Sequence, residues 1–405
     1  MTAPLVIVGA GHAAGQLFAS LLQEGFKGDV TVIGEEPYLP YQRPPLSKKF
    51  LAGEMELDRL YVRPPAFYDK AGAGLMLGTR VAAIDRTART VVTAAGTTVP
   101  YATLVIATGS RPRRLALPGA DLDGVFYLRA IADVQAIQSR FAAGKRLVIV
   151  GGGYIGLELA AVAVKQGLQV TVLEQAPRLM ARGVGPIVST FYERIHREAG
   201  VTVVTGCAVT GFEGGDRVEQ VACDSSRHAA DIVVVGVGAL PNVELARDAG
   251  LAVDNGIVVD DRCRTDDPAI YAIGDCTNQL HPLVGQRLRL ESVHNALEQA
   301  KAAAAAICGK KLPQVQTPWF WSDQYDVKLQ MAGLSGGHSD AVVRGDPGRG
   351  RSFAVFYLKD GVLIAVDAVN RVPEFMTSKQ LIAGGARPDP ARLGDERIDM
   401  KNIRG

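Results

Sequence analysis

Two short apolar runs, Leu5–Val8 and Leu147–Val150, show no alternation with polar residues. A strand with one wet face would alternate, so each run predicts a strand buried on both faces. After each run the chain breaks into glycines and then takes up helical spacing, as "GAGHAAGQLFASLLQ" from Gly9 and "GGGYIGLELAAVAVKQ" from Gly151. Helices are predicted to about Gln23 and about Gln166. A further strand follows each helix, "VTVIGE" ending at Glu35 and "VTVLE" ending at Glu174. Two later runs, "TLVIATGSRPR" (103–113) and "DIVVVGVGALPN" (231–242), are buried strands leading to glycine and then proline. The stretch "GIVVDDRCRTDDPAIYAIGDC" (256–276) reads as strand, turn and strand ending at Gly274-Asp275, and a helix is predicted at about 294–308.

From about residue 313 the pattern changes. "FAVFYLKDGVLIAVDAV" predicts an antiparallel hairpin turning at Asp360-Gly361, followed by a helix near 373–383. The tail beyond 386 is polar and predicted irregular. The fold class is therefore α/β, with two Rossmann-like dinucleotide-binding domains and a smaller α+β C-terminal domain. The second nucleotide domain is read as an insertion in the first. The expected boundaries are 1–110 and 240–312 for the first domain, 111–239 for the second and 313–405 for the third.

The repeated glycine pattern carries chemistry. One glycine makes the tight turn, a second lets pyrophosphate approach the backbone, and a third position packs helix on strand. The helix N-terminus then offers free N–H groups to phosphate. Candidate phosphate residues are Gly9, Gly11, Ala13 and Ala14 in the first copy, and Gly151, Gly153, Ile155 and Gly156 in the second. Glu35 and Glu174 stand where an acid holds ribose hydroxyls. A carboxylate at 174 favours NADH over NADPH, because it repels a 2′-phosphate. Arg178 and Arg182 are read either as phosphate partners or as surface charges. Asp275, just past a strand's carboxyl end, lies where ligands sit in open α/β sheets. One chain with two such sites can keep one dinucleotide and exchange another. A bound FAD would convert the hydride of NADH into single electrons. A two-domain dehydrogenase with one degenerate site fits less well, because both copies keep glycines, helix and acid.

Composition narrows the classes. The 405 residues exceed one ordinary core, and a formal net charge of +2 argues against a nucleic-acid partner. The five cysteines include no C-x-x-C pair and no Cys/His spacing suited to zinc, and the six histidines are scattered, so no metal is expected. The cysteines are read as reduced, mostly buried thiols of a cytoplasmic protein. Residues 1–15 lack a basic leader, and Glu158 with Gly151–Gly153 interrupts the one long apolar stretch, so no membrane segment is expected.

The stretches "YQRPPLSK" (41–48), "ATGSRPR" (107–113), "IYAIGDC" (270–276), "ESVHNALEQA" (291–300) and "PWFWSDQYD" (318–326) are more selective than the glycines. With them the chain resembles, over its whole length, the oxygenase-coupled NADH–ferredoxin reductases of the putidaredoxin reductase type. These belong to the glutathione-reductase-like flavoproteins. The resemblance implies bound FAD, NADH as substrate and an acidic 2Fe–2S ferredoxin as transient partner. That ferredoxin would feed a cytochrome P-450-class monooxygenase or a ring-hydroxylating dioxygenase. It implies FAD contacts from Arg43, Lys48, Val81, Thr108, Gly109, Arg129, Gly274, Asp275 and Val293, although packing alone also fits Val81 and Val293. It implies a Lys48–Glu158 pair beside the flavin, and Gly238 with Arg182 on the NAD side. Trp319 and Trp321 would mark the ferredoxin face, ringed by Lys301, Lys328, Lys379 and Lys401, while Phe320 is expected in the core. Alternatives are a rubredoxin reductase, another NADH-dependent flavin oxidoreductase, or a flavin-dependent signalling protein of apoptosis-inducing-factor type.

Overall fold

The computed structural model describes residues 4–403. The ends of the first and last expected domains, residues 1–3 and 404–405, lie outside the described residues. Contacts group the chain into two units, one of residues 1–43, 56–111 and 239–316, the other of residues 44–55, 112–238 and 317–405.

The first unit is built on a five-stranded parallel sheet in the order Ile270–Ala272, Thr103–Ile106, Leu5–Val8, Val30–Ile33, Gly74–Met76. Leu5–Val8 is central and buried on both faces, which is why it is apolar throughout. Its side chains alternate between two cores, as strand geometry requires. Leu5 and Ile7 face the helices His12–Gln23 and Val293–Ile307, while Val6 and Val8 pack with Ile84, Val91, Leu104 and Ile257. Small residues Ala296, Ala300, Ala303 and Ala304 let the two helices lie close. The strand Val30–Ile33 stops short of the expected Glu35. The chain turns at Gly34, where a Cβ would lie 2.6 Å from the Ala10 Cβ.

The second unit repeats the plan, with parallel strands in the order Thr202–Thr205, Gln169–Glu174, Arg146–Val150, Ile232–Val235, Val125–Tyr127. Residues 317–403 add a five-stranded antiparallel sheet with Trp319–Gln324 at one edge. Its hairpin turns at Asp360 and Gly361, whose φ values of 50° and 78° suit a two-residue turn with both central residues left-handed. The helix Val372–Ala383 covers one face.

The expected irregular tail is corrected. Pro390–Gly394 is helical, capped by the Asp389 carboxylate on the Ala391 N–H at 2.9 Å, and Met400–Asn402 forms a further turn. Leu393, Met400 and Ile403 are buried. The buried Arg344 guanidinium donates to the carbonyls of Leu393, Asp395 and Ile398 at 3.3, 2.7 and 2.5 Å while pairing with Glu374. One internal cation thus orders a stretch whose own sequence lacks periodicity. Among the described residues no helix is long and apolar enough to cross a membrane.

Candidate functional site

In the first unit the glycine turn is shaped by close backbone approach. Gly9 has φ 113°, and a Cβ there would lie 2.2 Å from the Ala107 carbonyl oxygen. Gly11 precedes the helix His12–Gln23 and faces open space, so the free N–H groups of the first turn are approachable. Buried Ala14 fills the position of the third glycine. Ala13 stands against Gly274, whose added Cβ would come within 3.3 Å of it. The Gly274 N–H donates to the buried Gln299 amide oxygen at 2.7 Å. Asp275 accepts a hydrogen bond from Ser110 at 3.0 Å. Thr108 and Asn242 clasp one another, hydroxyl to carbonyl at 2.7 Å and amide to carbonyl at 2.8 Å. The Gly109 carbonyl accepts the Asn242 N–H at 2.9 Å. Glu35 is exposed, Val81 is buried in the core beneath the sheet, and Val293 is half-buried at the start of its helix.

Two residues of this region escape the sequence pattern. Arg43 pairs with Glu36, the neighbour of the expected acid, at 2.8 Å, and the Tyr41 hydroxyl donates to the other Glu36 oxygen at 2.6 Å. His12 lies inside the fingerprint itself. Burial first, then the Arg43 guanidinium, lower its pKa to about 4 against an opposing pull from Asp275. It is therefore a neutral imidazole at pH 7. A sequence signal existed in "GEEPY" and in the histidine following Gly11, but neither pattern says which way a side chain turns.

The second unit holds the matching turn. Gly151 has φ 108° with Gly236 O 2.4 Å from an added Cβ, and a Cβ at Gly156 would lie 2.3 Å from Gly151 O. Gly153 is open, and Ile155 is 51% exposed on the first helical turn. The Glu174 carboxylate accepts the Gly152 N–H and the Ala176 N–H, each at 2.7 Å. It therefore tethers the phosphate turn while remaining half-buried. Arg182 is exposed and its guanidinium lies over Gly238, 3.3 Å from where a Cβ would be. Arg178 turns inward, bonding Ala181 O, Val184 O and Ser189 Oγ at 2.9, 2.8 and 2.6 Å, so it braces its own loop.

In the same unit the Pro44–Ser47 turn delivers Lys48 to Glu158, Nζ to Oε2 at 2.7 Å. Glu158 is only 4% exposed, and two further hydroxyls satisfy it, Ser47 at 2.5 Å and Ser322 at 2.6 Å. A buried charge requires such partners. The chain of bonds continues, with Gln324 Nε2 donating to Ser322 at 3.1 Å, and Gln324 Oε1 lying 2.8 Å from His196 Nε2. Tyr325 OH meets His196 Nδ1 at 2.9 Å. Burial lowers the His196 pKa to about 4 against the Gln324 hydrogen bond, so this imidazole too is neutral. Arg129 is half-buried, and its N–H donates to Asp133 at 2.9 Å.

Trp319 and Trp321 are half-buried with ring centroids 5.4 Å apart, and Lys379 Nζ stands 5.5 Å from the Trp319 ring. Phe320, expected in the core, is also half-buried, its ring 4.9 Å from that of Tyr154. Its neighbours on the same face, Ser322 and Gln324, are buried, so the strand is covered toward its C-terminal end and open at Phe320. Lys301 pairs with Glu298 at 2.8 Å and Lys401 with Asp399 at 3.1 Å, while Lys328 is exposed opposite Asp323 in the strand register and makes no ion pair among the described residues.

The pattern of the pyridine nucleotide-disulphide oxidoreductases matches residues 3–300, and that of a reductase C-terminal domain matches residues 319–404. Putidaredoxin reductase CamA of Pseudomonas putida is 44% identical over 406 residues, covering 98% of this chain and 96% of that protein. The ferredoxin–NAD(+) reductase component of the anthranilate 1,2-dioxygenase system of Burkholderia cepacia is 44% identical over 407 residues, covering 99% of each. Among solved structures, the covalent putidaredoxin reductase–putidaredoxin complex matches with TM-score 0.96 and 43% identity, over 98% of this chain and 97% of that one. The ferredoxin reductase for the CYP199A2 system from Rhodopseudomonas palustris matches with TM-score 0.95 and 41% identity, over 98% of both chains.

Proposed function

The chain belongs to the pyridine nucleotide-disulphide oxidoreductase family, and on that premise we propose that it is an FAD-dependent NADH:ferredoxin oxidoreductase. Its electrons go to a 2Fe–2S ferredoxin and from there to a cytochrome P-450-class monooxygenase or a ring-hydroxylating dioxygenase. The observation that carries this reading is full-length likeness to ferredoxin reductases of oxygenase systems. Two separate glycine cradles in one chain support it. The reading includes a cytoplasmic location, where NADH is regenerated.

FAD supplies the conversion of a two-electron hydride into single electrons. The residues of the first unit fit it. Gly9 leaves no room for a side chain beside the backbone, Gly274 holds a left-handed φ of 83° against Ala13, the first turn of His12–Gln23 offers N–H groups to pyrophosphate, and Asp275 offers a carboxylate to hydroxyls. Neutral His12 adds no second positive charge beside Arg43. Glu158 with its two serines fixes the Lys48 ammonium, a cation that would favour negative charge on a reduced flavin. In the second unit Gly151, Gly153 and Gly156 receive the NADH pyrophosphate, and Glu174 holds both the turn and the adenine ribose. Arg182, whose guanidinium lies over Gly238, would add a positive charge on the NADH side.

The test is anaerobic. NADH bleaches the flavin absorbance of the purified protein, and further NADH consumption then requires oxidised 2Fe–2S ferredoxin, two equivalents reduced for each NADH oxidised. A protein that consumes NADH equally fast with oxygen alone would not be this enzyme.

A further inference from the structure

The small antiparallel sheet of Val209–Gly214, Val218–Cys223 and Arg227–Ala229 gathers two thiols and an imidazole. The ligand atoms of Cys207, Cys223 and His228 all lie within 4.8 Å of one another. No motif spacing marks them, because the sheet rather than the local sequence brings them together. Cys223 stands opposite Val209 and His228 opposite Val221, while Cys207 leads into the first strand. Two sulfurs and one imidazole are the donor set of zinc-class ions. A tetrahedral zinc centre holds sulfur at about 2.3 Å and nitrogen at about 2.0 Å, which puts its ligands roughly 3.5 Å apart. The cluster reaches that geometry by contracting on the order of 1 Å.

We propose that Cys207, Cys223 and His228 form a binding site for a zinc-class divalent cation, with solvent as the fourth ligand. Cys207 and His228 are half-buried, so water reaches the fourth position. Ser226 Oγ lies 2.9 Å from His228 Nε2 and orients the ring, as an outer hydrogen bond does at metal sites. Cysteine ligates as the thiolate, so metal entry displaces protons and affinity rises with pH.

The site is joined to the second nucleotide cradle. The Cys207 N–H donates to the Glu174 carbonyl at 3.0 Å, and the Gly206 N–H to the Ala176 carbonyl at 3.0 Å. Contraction around a cation pulls on the backbone of the residue whose carboxylate tethers Gly152. An effect on NADH rests on the role given to Glu174 above, whereas cation binding does not.

The experiment uses the FAD-loaded full chain, reduced, stripped with a chelator and desalted. Titration with Co²⁺ is expected to give one equivalent bound with a sulfur-to-cobalt charge-transfer band, abolished by Zn²⁺. His228→Gln and Cys207→Ser should each weaken Zn²⁺ binding at least tenfold while keeping the flavin spectrum. If Cys207→Ser loses its flavin, His228→Gln alone decides. No band at stoichiometric Co²⁺, or the same band in the variants, overturns the site. Zinc loading is further expected to shift KM for NADH at least threefold with ferricyanide as acceptor, in the parent and not in His228→Gln. Binding with unchanged KM overturns the coupling to Glu174. A chain that ignores NADH altogether would sink the proposed reductase function and leave the cobalt result standing.

Discussion

At the scale of single residues, Glu174 is given two tasks, bracing the turn and holding the ribose, and Glu174→Ala removes both. Its carboxylate occupies the Gly152 and Ala176 N–H groups. Glu174→Ala leaves both without an acceptor, at about 1–3 kcal/mol for each group kept from water. KM for NADH is expected to rise tenfold or more, with FAD content unchanged and discrimination against NADPH reduced. Glu174→Gln keeps an acceptor oxygen and should fall between. Steady-state kinetics with both nucleotides checks this, and an unchanged KM in the alanine variant removes Glu174 from the site. Lys48 makes a different demand. Lys48→Met strands a buried carboxylate on two hydroxyls, and breaking such a pair costs about 3–5 kcal/mol. The variant should keep FAD, unfold at lower temperature and be reduced by NADH at least tenfold more slowly in stopped flow. Ser322→Ala, which leaves the ion pair in place, should slow reduction much less. Equal slowing would mean that the hydroxyl chain, and not the lysine, sets the rate.

At the scale of elements, a strand carries a buried charge switch unrelated to the nucleotide turns. Asp367 lies within Val362–Val369, opposite Met331 and Val355, and accepts a hydrogen bond from Tyr357 at 2.7 Å. Burial outweighs that bond and pushes its pKa up to about 7. The folded state therefore holds the proton more tightly than the unfolded chain. The stabilisation is full below the unfolded carboxyl value near 4 and is lost as pH rises to about 7, on the order of 4 kcal/mol in all. Asp367→Asn should remove that loss. The thermal midpoint of the variant should exceed the parent's by a margin that grows from pH 4.5 to pH 7 and is constant at pH 8. A margin independent of pH would place the carboxylate's charge elsewhere. Such groups show what periodicity can and cannot say. The inner strands of both parallel sheets, the helices after the two glycine turns and the Asp360–Gly361 hairpin were legible from local pattern, whereas the strands Gly74–Met76, Val125–Tyr127 and Thr202–Thr205 and the helix Pro186–Glu198 were not. The tail helix was not, since it depends on Arg344 reaching carbonyls about fifty positions away. The partners of Glu158 were hidden for the same reason, because Ser47 and Ser322 stand 111 and 164 positions from it. The acids and glycines of the cradles could be named from spacing, but Glu36, His12 and His196 acquire meaning only from what surrounds them.

At the scale of the whole molecule, the open question is where a one-electron partner docks. Trp319 and Trp321 lie on an edge strand, half-buried with their rings in contact at a tilt of 37°, and Lys379 stands over the first ring. A cation held over an indole is partly fixed in place, so its charge is presented with little further ordering. Lys301 and Lys401 are already paired with acids of their own, which offsets part of what each can offer an acidic surface. Lys328 is exposed and makes no ion pair among the described residues, although Asp323 stands opposite it in the strand register. The salt dependence of ferredoxin reduction should therefore reside mainly in Lys328 and Lys379. In the parent, kcat/KM for ferredoxin is expected to fall steeply between low and physiological ionic strength, where the screening length drops from about 30 Å toward about 8 Å. Lys328→Ala combined with Lys379→Ala should flatten that fall, whereas Lys301→Ala and Lys401→Ala should hardly alter it. Trp321→Ala should slow ferredoxin reduction at least tenfold and NADH–ferricyanide turnover little, because the small oxidant needs no docking face. If both acceptors lose equally, the tryptophan supports the fold of the strand it sits on. If the double lysine variant keeps the parent's salt slope, the docking face lies on a different part of the surface.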